Sequence, residues 1–290
     1  MNYLAGNAAF FFEEFTPETS STFDVELDAA VTADALERGT MQGFCNVAAS
    51  PATFAVTDPN VRENVIANVS GSANRHRMLV CALSTAVFGH PSADLPTVIR
   101  TINDQRKRLF LTETTTPLHH AIASLIDPSL FITSEYFGDE YRSGEFVNGT
   151  LHVDLQRTSF PDDHFDLIVT SDVMEHVPDA PLAEREIVRI LKPGGCYCFT
   201  VPLAPTAPED MVLAALEKNG NLEYFAEPTY HGDPLRPEGV LVFRIFSIRQ
   251  MTARFQSLGS TCSTYRLWSK GLGIIGPGCW IHLVTKNERG

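Results

Sequence analysis

The chain has 290 residues, 44% of them hydrophobic, a formal charge of −13 and a pI of about 5.1. That length and apolar content suffice for one large α/β domain with a smaller element beside it, and the acidic balance excludes a strongly basic nucleic-acid-binding surface. No apolar run approaches the ~18 residues that span a bilayer, and six cysteines without framework spacing point to reduced thiols in a cytoplasmic protein.

In chain order, the opening MNYLAGNAAFFFEEF has a short apolar run without a basic flank and is not read as a signal peptide. A short helix is expected over Thr32–Arg38, and a loop with extended pieces over Phe44–Val56. Arg62, Arg75, His76 and Arg77 form one basic cluster, and Arg106-Lys107-Arg108 a second. Helices are expected over Arg77–Phe88 and Leu95–Lys107, then a strand over Arg108–Leu111 and a polar loop, Thr112–Pro117. A helix over Pro117–Ile126 and a strand over Leu130–Ser134 follow, the strand ending at Glu135. Asn148-Gly149-Thr150 fits the glycosylation pattern, which means little without secretion.

The most informative stretch is 151–202. Leu151–Val153 reads as a strand ending at Asp154. Asp162 and Asp163 sit in a polar turn and are read as turn formers, not as a catalytic acid pair. Phe165–Ser171 is a near-continuous apolar run, the mark of a parallel strand covered on both faces. Asp179 caps a helix with Ala183, Ile187, Ile190 and Leu191 on one face; Lys192-Pro193-Gly194-Gly195 ends it before a strand at Cys196–Val201. Strand, helix and strand make a right-handed βαβ unit, and ligands of such sheets bind at the carboxyl ends of strands. Asp154, Ser171, Asp172, Glu175 and His176 fall at such ends. One Glu beside one His is a weak ligand set, and no metal is expected.

After Pro202, a helix is expected over Met211–Asn219. Leu222–Val240 contains TYHGDPLRPEG, too long and polar for a tight connection, and loops of this kind shape substrate sites. His231 and Asp233 are its candidates for general base or substrate orienter, with Tyr230 as a substrate contact; a loop held by its own turn hydrogen bonds is the alternative. Ser247 and Gln250 form a capping box for a helix closed by Gly259, and strands are expected over Thr261–Trp268 and Cys279–Lys286.

Asp154-Leu155, SFPDDHFDLIV, MEHVPD, REIVRILKPGG and FTVP, in this order, resemble the second half of class I S-adenosylmethionine-dependent methyltransferases, from roughly Arg108 to the C-terminus. The resemblance implies a Rossmann-like, doubly wound α/β fold: a seven-stranded, mostly parallel sheet with an antiparallel last strand, plus a small N-terminal cap. It places the methyltransferase domain at 106–290, a cap and substrate-side segment at 1–105, and a substrate-side insertion at 222–242. It implies S-adenosylmethionine as cofactor and methyl transfer to oxygen or nitrogen of a small molecule, in natural-product or sugar-derived biosynthesis. No nucleic acid or membrane partner is expected, and a homodimer is compatible with the reading.

On that reading Glu135 accepts the ribose hydroxyls, because a carboxylate has two oxygens to match a vicinal diol, and Tyr136 walls the site. Asp154 takes the adenine amino group and Leu155 packs on the base. Ser171, Asp172, Val173 and His176 line the centre. The family's glycine-rich loop is absent at TETTTP, so Thr112 and Thr114 are expected to replace its contacts and Glu113 to receive the α-ammonium group. The N-terminal part resembles a smaller group of methyltransferases with Cys-x-x-Cys pairs and an arginine-rich segment. Here Cys45 stands with Ala48, Ala67 and Ser70, so packing and not zinc is expected to hold this part together. Arg62, Arg75 and Arg77 are candidates for a substrate or cofactor carboxylate, or for surface ion pairs. A catalytically silent methyltransferase-fold partner is the alternative function. A nicotinamide oxidoreductase is disfavoured by the lack of G-x-G-x-x-G.

Overall fold

A computed structural model describes residues 10–16, 21–217 and 219–288; most of the opening apolar run lies outside them. The central sheet has seven strands, numbered here along the chain: β1 (Phe10–Phe15), β2 (Leu109–Leu111), β3 (Phe131–Thr133), β4 (Phe165–Ser171), β5 (Leu191–Thr200), β6 (Ser260–Ser269) and β7 (Trp280–Lys286). Their order is β1-β6-β7-β5-β4-β2-β3, and the sheet is mostly parallel, as expected. Among the described residues no helix is long and apolar enough to cross a membrane.

Two of the expected sheet elements change. The strand read at Leu151–Val153 is not a member of the sheet. Thr150–Leu151 turns back on Phe146–Val147 as a hairpin, and only His152 bridges in parallel to Glu135. The cause is Asn148-Gly149, both at positive φ (50° and 82°), the dipeptide that closes two-residue hairpins. The seventh place is filled instead by β1, antiparallel to β6, with the Phe12 ring stacked 4.5 Å from Tyr265.

Residue contacts divide the chain into two compact units. The first takes Met1–Leu109, Thr116–Ile132 and Ser263–Leu283. Its helix Val25–Arg38 begins earlier than expected, because Asp24 caps it by accepting from the Leu27 amide at 2.8 Å. Thr40–Cys45 and Ser50–Val56 pair as an antiparallel hairpin, extended by Val65–Ala67; over Phe44–Val56 a loop with extended pieces was expected. Helix Asn74–Phe88 carries Arg77 in its first turn, fully buried. The Arg77 guanidinium donates to the carbonyls of Val65, Ser72, Leu272 and Gly273 at 2.6–2.9 Å and lies 4.5 Å over the Phe54 ring. Gly273 is at φ +65°, and a Cβ there would come within 3.0 Å of both Arg77 and Phe54. The one sulfur left from the Cys-x-x-Cys pattern, Cys45, meets the Ser70 hydroxyl at 3.2 Å, and Ser70 in turn bonds Ser72 at 2.8 Å. A thiol–hydroxyl chain beside a buried arginine thus holds this segment.

The second unit takes Phe110–Thr115, Thr133–Cys262 and Val284–Gly290. β4 and β5 pair in parallel, Leu167 with Cys196 through Ser171 with Thr200, around helix Ala180–Ile190, which Asp179 caps at the Leu182 amide. That is the expected βαβ unit. β5 starts at Leu191, with an irregular register before Cys196, so Lys192–Gly195 counts as a bulged strand start, not as a turn. Arg254 forks onto Glu184 at 2.7 and 2.9 Å and reaches Asp210 at 2.9 Å, tying helix Ile248–Ser257 to the βαβ helix. The helix expected over Met211–Asn219 is not formed. Met211–Val212 and Ala214–Leu216 are strands, and Ala214–Leu216 pairs with Leu222–Tyr224. Gly220, at φ +85°, lies in the connecting turn, where its amide donates to Glu217 O at 2.9 Å.

Candidate active site

The second unit contains the tips of β2, β3 and β4, and every expected cofactor residue lies on them or in their loops. After β2, the Thr112 amide donates to Val169 of β4 at 3.3 Å. The backbone N–H and the hydroxyl of Thr114 then both donate to Oε1 of Glu135, each at 2.7 Å. This pair of bonds ties the glycine-free loop to the next strand end. Glu135 is half-buried, and burial raises its pKa; the two Thr114 bonds oppose the rise, Asp233 adds to it and Arg236 opposes it. Glu113 is buried, and Thr112 Oγ1 is buried without a hydrogen bond.

The backbone of Glu135 bonds on both sides to the segment beside it, its amide to Leu151 O and its carbonyl from the Val153 amide, both at 3.0 Å. Asp154 therefore stands next to the β3 tip although its strand is missing. Its Oδ1 accepts from the Gln156 amide and side chain at 2.9 and 3.1 Å. Leu155 is buried, and Tyr136 is exposed with its hydroxyl on Asp139. Partial desolvation of the phenol and the Asp139 carboxylate beside it raise the Tyr136 pKa, although the ring is part-exposed.

At the β4 tip, Ser171 is buried and Asp172 sits at φ +52°, a conformation that costs a non-glycine residue about 1 kcal/mol or more. Met174–His176 is a single 3-10 turn, and Glu175 within it is fully buried. Facing it is the segment expected as a substrate loop, which is a hairpin of Tyr230–Asp233 and Arg236–Leu241. One face of this hairpin meets Glu175. His231 Nδ1 lies 3.4 Å from Glu175 Oε1 and His176 Nε2 lies 3.8 Å from it, while His176 Nδ1 donates to Leu241 O at 2.8 Å. At its turn, Asp233 accepts from the Leu235 amide at 2.6 Å and pairs with Arg236 at 2.9 Å, and Arg236 donates to the carbonyl of Tyr136. The hairpin therefore reaches from the β4 tip to the β3 tip.

The structure thus gathers Thr114, Glu135 and Asp233 with Arg236 at one tip, and Glu175, His176 and His231 at the other. Asp233 is engaged in the turn and the ion pair, as in the alternative reading of this segment. Tyr230 lies exposed on the hairpin. Arg62, Arg75 and Arg77 belong to the first unit. Arg62 and Arg75 pair with Glu63, and the carboxylate-binding role expected for Arg77 is corrected by its burial among backbone carbonyls. Sequence reasoning passed over Arg236, and it saw no partner for Glu175. The charged R in DPLRPEG was the one local signal for Arg236; the Glu175–His231 contact joins distant segments and leaves no local pattern.

Residues 134–199 match the family model described as a methyltransferase domain. Sarcosine/dimethylglycine N-methyltransferase of Halorhodospira halochloris is 33% identical over 81 residues, 28% of this chain and 29% of that protein. Dimethylglycine N-methyltransferase of Parasynechococcus marenigrum is 31% identical over the same shares. The aligned part is less than a third of either relative's length. Among solved structures, an S-adenosylmethionine-bound amino pentose methyltransferase from Micromonospora echinaspora superposes with a TM-score of 0.41 at 14% identity, over 67% of this chain and 89% of that one. An S-adenosylmethionine-dependent methyltransferase from Mesorhizobium loti gives 0.34 at 15%, over 54% and 75%. The residues that match the methyltransferase-domain model, 134–199, run from the β3 tip through β4 and the helix of the βαβ unit into β5.

Proposed function

We propose that this chain transfers a methyl group from S-adenosylmethionine to a nitrogen of a small molecule. The observation that supports the reading best is Glu135, a half-buried carboxylate at the β3 tip whose Oε1 is filled by the two Thr114 bonds. Those bonds fix the carboxylate's direction and leave Oε2 to accept from the ribose diol, so the diol is held by one oxygen more than by two. Asp154 is arranged in the same way: Gln156 fills Oδ1, and Oδ2 is the acceptor for the adenine amino group. In the glycine-free 112–114 loop the amide and hydroxyl of Thr114 act on the cofactor through Glu135, which they orient.

When bound, S-adenosylmethionine supplies an electrophilic methyl group on a sulfonium. The chain's part is then to align an acceptor lone pair with that methyl and to exclude water, the task of the hairpin over the strand tips. Nitrogen is favoured because a neutral amine attacks without a general base, and Asp233, one of the two candidate bases, is committed to Arg236. The N-methyltransferase names of the two sequence relatives point the same way.

Calorimetry with S-adenosylmethionine tests the reading. Micromolar binding is expected, weakened by Glu135→Ala, together with S-adenosylhomocysteine release on addition of small secondary and tertiary amines. No binding at millimolar cofactor would overturn it in favour of the catalytically silent partner.

A further inference from the structure

The methyl-transfer reading leaves one buried group without an account. The Glu175 side chain is fully buried, and among the described residues neither of its oxygens accepts a hydrogen bond. A buried carboxylate needs a compensating charge or a full set of donors. Two imidazoles are aimed at it instead, and their rings meet edge to face with centroids 5.1 Å apart.

We propose that Glu175, His176 and His231 bind a divalent transition-metal ion of the zinc class. The three donor atoms, one from each side chain, all lie within 4.8 Å of one another, with His231 Nδ1 and His176 Nε2 at 3.4 and 3.8 Å from Glu175 Oε1. Ligands held ~2.0–2.2 Å from a tetrahedral zinc stand about 3.3–3.6 Å apart, so small side-chain shifts close the site. The tautomer also fits. A carbonyl can only accept, so His176 Nδ1 carries the proton it gives to Leu241 O at 2.8 Å, and its lone pair is on Nε2, the nitrogen facing Glu175. A ligand histidine whose other nitrogen donates to a backbone carbonyl is the usual outer support of a metal site. The backbone is fixed as well: the Phe243 amide donates to Glu175 O at 2.8 Å, locking the end of the hairpin to the ligand turn. Two imidazoles and one carboxylate suit zinc, cobalt(II) or iron(II) better than magnesium or calcium, which prefer all-oxygen sets. His231 is 41% exposed at its side chain and His176 15%, so an ion can reach the three donors from solvent. With the ion on Nδ1, the other nitrogen of His231 is protonated, and this residue is a ligand, not a general base.

The full-length chain, stripped with a chelator and dialysed, is titrated with cobalt(II) and with zinc. One equivalent of cobalt(II) should develop the visible absorption of a four-coordinate N/O site, and zinc should abolish it stoichiometrically. Glu175→Gln and His231→Ala should each weaken binding ~100-fold or more. His231→Ala alters a part-exposed side chain, so it tests the site even if Glu175→Gln misfolds; circular dichroism checks both folds. Binding only at millimolar metal, or a cobalt spectrum that neither substitution changes, would overturn the proposal and leave a proton on an imidazole as the neutralising charge. None of these readouts depends on methyl transfer.

Discussion

Arg77 and Glu175 are both fully buried ionisable side chains, one in each compact unit, and they differ in how their polar atoms are matched. The Arg77 guanidinium makes four bonds of 2.6–2.9 Å to backbone carbonyls, whereas the imidazole nitrogens facing Glu175 stand 3.4 and 3.8 Å away and its oxygens accept no hydrogen bond among the described residues. A charge with its donors or acceptors matched is scaffold, and one left unmatched marks a place for something else. The sharpest way to break the comparison is Arg77→Met. The methionine fills similar volume but leaves the carbonyls of Val65, Ser72, Leu272 and Gly273 without their donor, and a loss of about 3–5 kcal/mol is expected in urea unfolding. Even after burial lowers its pKa to about 10, Arg77 stays protonated at neutral pH, so this loss should not vary with pH between 6 and 8. A change below 1 kcal/mol would mean that Arg77 is not the post its bonds imply.

The same contrast explains what was legible in the sequence. The tips of β2, β3 and β4 were legible because LFL, FIT and FDLIVTS are apolar runs followed by or ending in polar residues, which puts Glu135 and Ser171 at strand ends. Asn148-Gly149 and Asn219-Gly220 carry hairpin signals, but the first stands inside a glycosylation pattern and the second ends a run of helix formers, MVLAALEKNG. β1 was missed because FFFEEF shows no alternation; its register comes from stacking on β6. Neither the carbonyl cage of Arg77 nor the Glu175–His231 contact could be read, since both join segments remote in the chain.

The second prediction concerns a charge between these two extremes. Glu135 is half matched, by Thr114 alone, and burial lifts its pKa. Glu135→Ala should weaken S-adenosylmethionine binding by about 10–100-fold, the worth of one or two charge-assisted bonds, with little change in melting temperature. The pH dependence has a definite sign. Binding needs the ionised carboxylate, so affinity is flat above the raised pKa and falls as pH drops through it. Stability of the unliganded fold runs the other way. The folded state holds this proton more tightly than the unfolded chain, so the contribution is fully present below the unfolded glutamate value and is lost as pH rises through the folded one. Asp233 and Arg236 on the hairpin and Thr114 on the loop face the group and set the position of the window. Glu135→Gln should bind weakly at all pH values and remove the slope; calorimetry between pH 4.5 and 7.5 reads both.

The smallest expected effect is also the most diagnostic. Glu175→Gln keeps the shape of the side chain and removes the charge. If the carboxylate is uncompensated in the metal-free protein, its neutralisation should leave the chelator-treated fold within about 1 kcal/mol of the parent, or slightly more stable, because a buried amide costs less to desolvate than a buried charge. If instead a protonated imidazole pairs with it, the same substitution breaks that ion pair, and stability should fall by more than about 1 kcal/mol. Adding zinc separates the two cases further. The parent should rise in melting temperature with zinc concentration by mass action, whereas the glutamine variant should not move, since its site has lost the anionic ligand. A parent insensitive to zinc, together with a strongly destabilised variant, would place Glu175 beside Arg77 as scaffold and erase the contrast between the two units.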